Sequence, residues 1–289
     1  MRTREQLVIT ETIDSAGCVT YSRCASETDL VKLAAAWKAQ GLDEKTLPNP
    51  PKDEVALGRA VNAQAEKRKL VRPLARRGAW AIVQETVVEG QPPTYSTRMT
   101  VRSENGIPIS AAVDASGDEY ITMRAAISAA FESCRSTLAH SDISAWLIDT
   151  AYKLGAVSLR ESGGVYFIPR TNTSIWMKVA AALDAVGSSV FTIPAMKTAE
   201  AVAAITDAIT AEAAALSKSI EDEMEKTGED ALGSRALKTR VNTLEEMIAK
   251  VGTYEELIGR QLEIRERVQR LSANVSAAAL TAMNESEAA

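Results

Sequence analysis

Apolar residues recur along this chain with two periods, and the changes of period mark the predicted elements. From Glu27 to Gln40, Leu30, Leu33, Ala34 and Trp37 follow the i, i+3, i+4, i+7 rule of one helical face, with Ser26 as N-cap and Gly41 as stop. Asp53 to Lys69 predicts a second helix with Val55, Ala56, Ala60 and Val61 on one side, after the stiff connector Leu47-Pro48-Asn49-Pro50-Pro51. The period then shifts toward two. Ala79 to Val88 and Thr94 to Ser103 read as strands joined by Gly90-Gln91-Pro92-Pro93, and Ile107 to Val113 as a third, giving a small antiparallel sheet at about 79–113. Leu7 to Tyr21, β-branched and interrupted by Gly17, predicts one or two more strands.

Helical spacing returns over Glu119 to Leu138 and Asp142 to Lys153. In the latter, Ile143, Trp146, Leu147, Thr150, Ala151 and Leu154 share a face, Asp142 caps and Gly155 ends the run. A hairpin over 156–168 follows, its turn at Arg160-Glu161-Ser162-Gly163-Gly164. Ser174 to Ala185 predicts another helix, and Val190 to Ile193 a short strand that Pro194 terminates.

Beyond Thr198 the pattern is helical throughout. Val202, Ile205, Ile209, Ala213, Leu216, Ile220 and Met224 form one stripe. The glycine-containing loop Thr227 to Ser234 breaks it. A second stripe runs through Leu237, Val241, Leu244, Ile248, Val251, Ile258, Leu262, Val268, Leu271 and Val275, with Gly252 and Gly259 weakening its middle without ending it. These stripes predict an antiparallel helical hairpin with arms of roughly 40 Å and 70 Å. About twenty residues of the longer arm then have no partner in the shorter one. The expected fold is α+β. A mostly helical globular part, 1–196, carries the small sheet and a winged-helix-like helix–hairpin unit at 142–169; a long helical hairpin, or coiled coil, fills 197–289.

Composition narrows the function. The 289 residues are 46% hydrophobic and only 4% aromatic, with alanine abundant, which favours helices. Net charge is −5, and residues 199–289 hold 17 acidic against 10 basic side chains, so the acidity sits on the helical hairpin. Bulk charge therefore excludes a protein that coats nucleic acid, but not a local basic patch. No apolar run approaches the ~20 residues of a membrane span. Met1-Arg2-Thr3-Arg4-Glu5-Gln6 has no signal-peptide core, so the cytoplasm is the expected compartment. The cysteines Cys18, Cys24 and Cys134 are odd in number and form no C-x-x-C pair, which supports neither a disulfide framework nor a zinc site.

Catalytic chemistry finds little footing. The single histidine, His140, excludes multi-histidine metal sites, and His140-Ser141-Asp142 cannot converge as a triad because the three are adjacent. No P-loop motif is present, and Gly163-Gly164 precedes a strand instead of opening a helix. Glu221-Asp222-Glu223 and Glu229-Asp230 lack calcium-site spacing. No catalytic, metal or cofactor residue is assigned, and a non-enzyme is expected.

Two candidate sites remain. The first is the basic run Lys67, Arg68, Lys69, Arg72, Arg76 and Arg77, suited to phosphate or another anion. The second is an assembly seam of Val202, Ile205, Ile209, Leu216, Ile220, Val241, Leu244, Ile248, Ile258, Leu262, Val268, Leu271 and Val275. The helix–hairpin unit has the layout of a winged helix, but its charges are Asp142, Asp149, Lys153, Arg160 and Glu161, without base-reading Arg, Asn or Gln on the helix. Its hairpin is expected to pack, with Val157, Leu159, Val165 and Phe167 covering the preceding helix.

The segment Leu159-Arg160-Glu161-Ser162-Gly163-Gly164-Val165-Tyr166-Phe167-Ile168-Pro169, then a helix ending at Gly187, Ile193-Pro194, a coiled coil and Tyr254-Glu255-Glu256-Leu257-Ile258-Gly259, resembles an uncharacterised family, a domain of unknown function met in bacteriophages and other mobile elements. The likeness covers roughly 45 to 275, and G-G-V-Y-F-I-P is its most specific part. It implies a setting, a phage protein inside a bacterial host, and no catalytic residues. The expected function is accordingly non-enzymatic: self-assembly, or binding of a host or phage protein, through the C-terminal hairpin. The alternative is a nucleic-acid-binding accessory protein using residues 67–77 and the winged-helix-like hairpin.

Overall fold

The computed structural model describes residues 15–161, 163–226 and 232–288. The first half of the strand expected at Leu7 to Tyr21, and most of the loop expected at Thr227 to Ser234, lie outside the described residues. In chain order the elements are β1 (Ser15–Arg23), β2 (Glu27–Asp29), α1 (Leu30–Ala39), α2 (Asp53–Asn62), β3 (Lys69–Pro73), β4 (Ala79–Thr86), β5 (Thr94–Glu104), β6 (Ile107–Ala112), α3 (Gly117–Arg135), β7 (Thr137–Ala139), α4 (His140–Lys153), β8 (Val157–Ser158), β9 (Tyr166–Pro169), α5 (Arg170–Asp184), β10 (Ser189–Met196), α6 (Ala199–Met224), α7 (Ser234–Ile258) and α8 (Glu263–Ala288). The fold is mixed α/β, with eight α-helices and three small antiparallel sheets among the described residues. Two compact units divide it. One takes the residues up to Arg23, Leu147–Ala181 and those from Ser189 onward; the other takes Cys24–Trp146 and Ala182–Ser188. This differs from the division expected at 196/197, because β1, the β8–β9 hairpin and β10 form one sheet that packs on the C-terminal helices.

In the first unit the strand order is β10-β1-β9-β8. Pro194 does not end β10: it sits opposite Cys18, and pairing continues to Met196. β10 is an edge strand, where a missing N–H need leave no ladder bond unmade. Gly17, at φ +153° beside a bulge, is required by close approach, since a Cβ there would fall on the Ile168 carbonyl oxygen. The hairpin is no free wing. β9 lies between β1 and β8, all four of its residues are buried, and Val157 and Phe167 enter the core of the C-terminal helices. The hairpin thus supports those helices as well as its sheet, and its strands are not presented to a groove.

The C-terminal region holds three helices, not the expected two-armed hairpin. α7 stops at Gly259, which adopts φ +75° as a left-handed cap, its N–H donating to the Glu255 carbonyl. The Glu255 carboxylate then accepts from the Leu262 N–H at 2.8 Å and from Arg265 Nη1 at 2.5 Å, fixing the start of α8. α8 folds back, so the unpartnered arm does not arise. Ile205, Ile209 and Ile220 of α6, Leu244 of α7, Leu262 just before α8, and Val268, Leu271 and Val275 of α8 are buried together, with Leu216, Val241, Ile248 and Ile258 half-buried against them. Val202 is half-buried at the start of α6. The seam expected to join molecules is the core of this unit.

In the second unit, β3-β4-β5-β6 form a meander in sequence order. α2 and α3 cover one face, with Leu57, Val61, Ile82, Met99, Val101, Met123, Ile127 and Phe131 in the core between. The three expected strands are thus joined by a fourth, β3, which the basic run supplies. α2 accordingly ends at Asn62, short of the expected Lys69. Two further helices are shorter than their apolar periodicity suggested. Glu27–Asp29 and Thr137–Ala139 pair as strands, Thr28 opposite Leu138, and each leads straight into a helix. Asp29, not Ser26, caps α1, accepting from the Val31 and Lys32 N–H groups. The indoles of Trp37 and Trp146 lie 5.2 Å apart. Their N–H groups are held by the backbone carbonyls of Asp43 and Thr46 at 3.0 and 2.9 Å.

Candidate nucleic-acid interface

The basic run is drawn out along the β3 edge of the meander. Glu66 and Lys69 exchange both backbone hydrogen bonds at 3.0 Å, so Lys67 and Arg68 form a two-residue turn just before the strand. Arg68 occupies its second position at φ +88°, left-handed backbone that glycine or asparagine would adopt more readily. Alternation along β3 then separates the side chains. Val71, opposite Ile82, faces the helices, and Leu70 and Arg72 face the other way. At the far end, Leu74 to Gly78 carry the chain into β4, with Arg76 and Arg77 exposed in that connection.

The six cations therefore part company. Lys69 lies 3.6 Å from Glu66, and its charge helps hold the Glu119 carboxyl below its usual range. Arg77 meets Glu54 at 3.2 Å. Lys67, Arg68, Arg72 and Arg76 are exposed and have no ion-pair partner among the described residues. The five residues of β3 separate the turn cations from the far connection by about 17 Å, with Arg72 between.

The sheet face away from α2 and α3 adjoins this edge. Register places Leu70, Val83 and Thr97 in one row and Arg72, Ala81, Thr100 and Ala111 in the next, followed by Arg102 and Ile109. Tyr95 stands opposite Glu85, and its hydroxyl donates to Glu85 Oε1 at 3.0 Å. That hydrogen bond raises the Tyr95 phenol, and the Arg72 charge acts weakly against it. Arg98 is the extra residue of a bulge between Thr97 and Met99, and it reaches α3, where its guanidinium pairs with Glu119. That ion pair is the largest cause of the lowered Glu119 carboxyl.

Other chemically suggestive groups have structural partners. His140 opens α4, its backbone N–H donating to the Ser26 carbonyl at 2.9 Å. Asp142 accepts from the Ala139 N–H and from Arg59 Nη2, the latter at 2.6 Å. Cys18 is buried, and burial pushes its thiol up to about 11, so it is no nucleophile at neutral pH. Lys250, which its sequence context did not single out, is held between Glu212 and the Ala156 carbonyl. No group of three or more His, Cys, Asp and Glu suited to a metal occurs among the described residues. No helix is long and apolar enough to cross a membrane.

No curated protein and no solved structure matches the chain. A family model described as a family of unknown function (DUF6744) matches residues 18–285. That span starts within β1, ends within α8 and takes in both compact units, and the chain belongs to the DUF6744 family of unknown function.

Proposed function

We propose that this protein binds nucleic acid, holding the phosphate backbone along the β3 edge of its four-stranded sheet. The observation that carries the reading is the set of four exposed cations, Lys67, Arg68, Arg72 and Arg76, without ion-pair partners among the described residues. Such side chains neutralise phosphates and release condensed counterions, which is the main source of sequence-independent affinity. The left-handed Arg68 adds weight. A non-glycine residue there costs on the order of 1 kcal/mol, and retained strain of this kind gathers at functional positions. Edge cations also keep strands from pairing between molecules, and binding that depends on salt is what separates the two roles.

The phage or mobile-element setting, and work in the host cytoplasm, belong to this proposal on the strength of the family resemblance. Self-assembly, the other function expected, would need a surface other than the C-terminal stripe, whose residues line an intrachain core.

The test is titration of a labelled oligonucleotide at several salt concentrations, with wild type and a quadruple variant, Lys67→Ala, Arg68→Ala, Arg72→Ala and Arg76→Ala. The slope of log affinity against log salt should fall by about 0.7–0.9 for each cation that meets a phosphate, so by roughly 3 in the quadruple variant. Unchanged affinity and slope in a variant whose circular dichroism matches wild type would remove the proposal.

A further inference from the structure

Resting on the phosphate-edge reading above, we infer that the ligand is a single strand, RNA or single-stranded DNA, whose bases lie on the uncovered face of the β3–β6 sheet. The two faces of that sheet differ in kind. Trp80, Ile82, Met99 and Val101 are spent on α2 and α3. The opposite face has a low floor, because its central positions are small: Thr97, Thr100 and Ala111 are at least partly exposed, and Ala81 between Arg72 and Thr100 is buried among its neighbours. Leu70, Val83 and Ile109 make parts of that floor apolar, as base faces require, and Ile109 is exposed.

Taller side chains stand around it. Tyr95 is 56% exposed, and its bond to Glu85 restrains the ring. Arg102, also exposed, lies on the same face seven residues along β5, roughly 23 Å away. Aromatic rings and guanidinium planes are the two side-chain surfaces on which unstacked bases rest. Arg72 rises from the β3 edge in the row of Ala81 and Thr100, on the same face as Tyr95. The carboxylates on this face, Glu85 and Glu104, are engaged by Tyr95 and Arg102, the latter pair at 3.1 Å.

The layout is one-sided, and that decides the strand form. Unpaired cations follow one edge, and the stacking surface extends sideways from it. A backbone on the edge therefore directs its bases onto the sheet, which only an unpaired strand can do. A duplex hides its base faces and is read by an element entering a groove. The β8–β9 hairpin is embedded in a sheet and is not presented that way.

The experiment is fluorescence anisotropy on the full chain with labelled oligonucleotides of about twelve nucleotides. The probes are single-stranded RNA, single-stranded DNA and duplex DNA of matched sequence; the proteins are wild type, Tyr95→Ala, Tyr95→Phe and Arg72→Ala. Single strands should bind about tenfold or more tighter than the duplex, the tighter of RNA and DNA naming the natural source. Tyr95→Ala should weaken single-strand binding roughly fivefold or more and leave duplex binding unchanged, and Tyr95→Phe should keep wild-type affinity. A duplex bound as tightly as the single strands would overturn the inference. So would a Tyr95→Ala variant of wild-type affinity alongside a weakened Arg72→Ala, in which case the phosphate edge stands alone. Failure of every oligonucleotide to bind at low salt would instead sink the phosphate-edge reading itself.

Discussion

The Lys250 ammonium of α7 lies 2.6 Å from Glu212 Oε1 of α6 and donates to the Ala156 carbonyl at the same distance, so one side chain ties two helices to the start of the β8–β9 hairpin. Both partners are largely buried, with side chains 14% and 27% exposed. Burial pulls the lysine below its ordinary value, and Glu212 acts against that shift. The ammonium also stands 5.2 Å from the centre of the Tyr152 ring.

A pair of this kind is costly to break and cheap to replace. Lys250→Met leaves a carboxylate whose Oε2 is already buried without a hydrogen bond, and should destabilise by about 3 kcal/mol or more. Glu212→Leu, which leaves the ammonium instead, should do the same. The double variant should recover most of the loss, because two apolar groups then meet. Urea denaturation of the four proteins decides: additive losses would mean that the two side chains act separately.

Burial of Tyr254 predicts that this unit loses stability at alkaline pH. Tyr254 is fully buried, its hydroxyl donates to the Gly155 carbonyl at 2.8 Å, and burial with some help from Glu212 raises its phenol far above the usual tyrosine range. The unfolded chain releases this proton near pH 10, and the folded chain keeps it. Stability from this group is therefore complete below about pH 10 and is lost as pH rises further. Lys250 works with the opposite sign: its lowered value makes the unfolded state bind the proton more tightly, so stability rises as pH approaches the ordinary lysine value. Tyr254→Phe should cost about 1 kcal/mol at pH 7, the hydrogen bond alone, and should flatten the decline above about pH 10. A pH series of urea midpoints reads both.

Legibility followed the range of the physics involved. Helices with a clean apolar stripe, such as α6, were visible because amphipathic spacing is a local property. The three-residue strands β2 and β7 were not, because Glu27–Asp29 and Thr137–Ala139 carry no period of their own and exist through pairing with each other. Pro194 pointed to a strand end because sequence does not tell an edge strand from an inner one. In the candidate interface, the six cations could be read directly from the sequence. What could not be read was their sorting: Lys69 and Arg77 are drawn off by Glu66 and Glu54, and Arg72, Tyr95 and Arg102 share one sheet face through strand register alone.

The stop at Gly259 was the costliest ambiguity, and it makes a specific prediction. Gly252 and Gly259 read alike in sequence, but Gly252 stays helical and Gly259 turns left-handed. What distinguishes them is Glu255, whose carboxylate bonds the Leu262 N–H beyond the turn. Gly259→Ala should destabilise by about 1 kcal/mol. Glu255→Ala should cost more, about 2–4 kcal/mol, because it strands the Leu262 N–H and the partly buried Arg265 together. Gly252→Ala, by contrast, should be neutral or stabilising, since a Cβ there meets only the end of the flexible Arg265 side chain at 3.7 Å. Thermal unfolding of the three variants ranks them, and a Gly252→Ala loss as large as that of Gly259→Ala would contradict the turn.

Leu244 tests what the apolar stripe is for. It is fully buried in the core shared by α6, α7 and α8, so Leu244→Ala should cost about 2–5 kcal/mol through lost transfer energy and the cavity left behind. If the stripe is spent within one chain, that loss is a property of the monomer. The unfolding midpoints of wild type and variant should then keep the same separation across a hundredfold range of protein concentration. If the stripe joined molecules, association would stabilise the folded state by mass action, and the wild-type midpoint would climb with concentration more steeply than the variant's. The two outcomes differ in slope, not only in size, so a variant that is merely less stable cannot mimic one that has lost an interface.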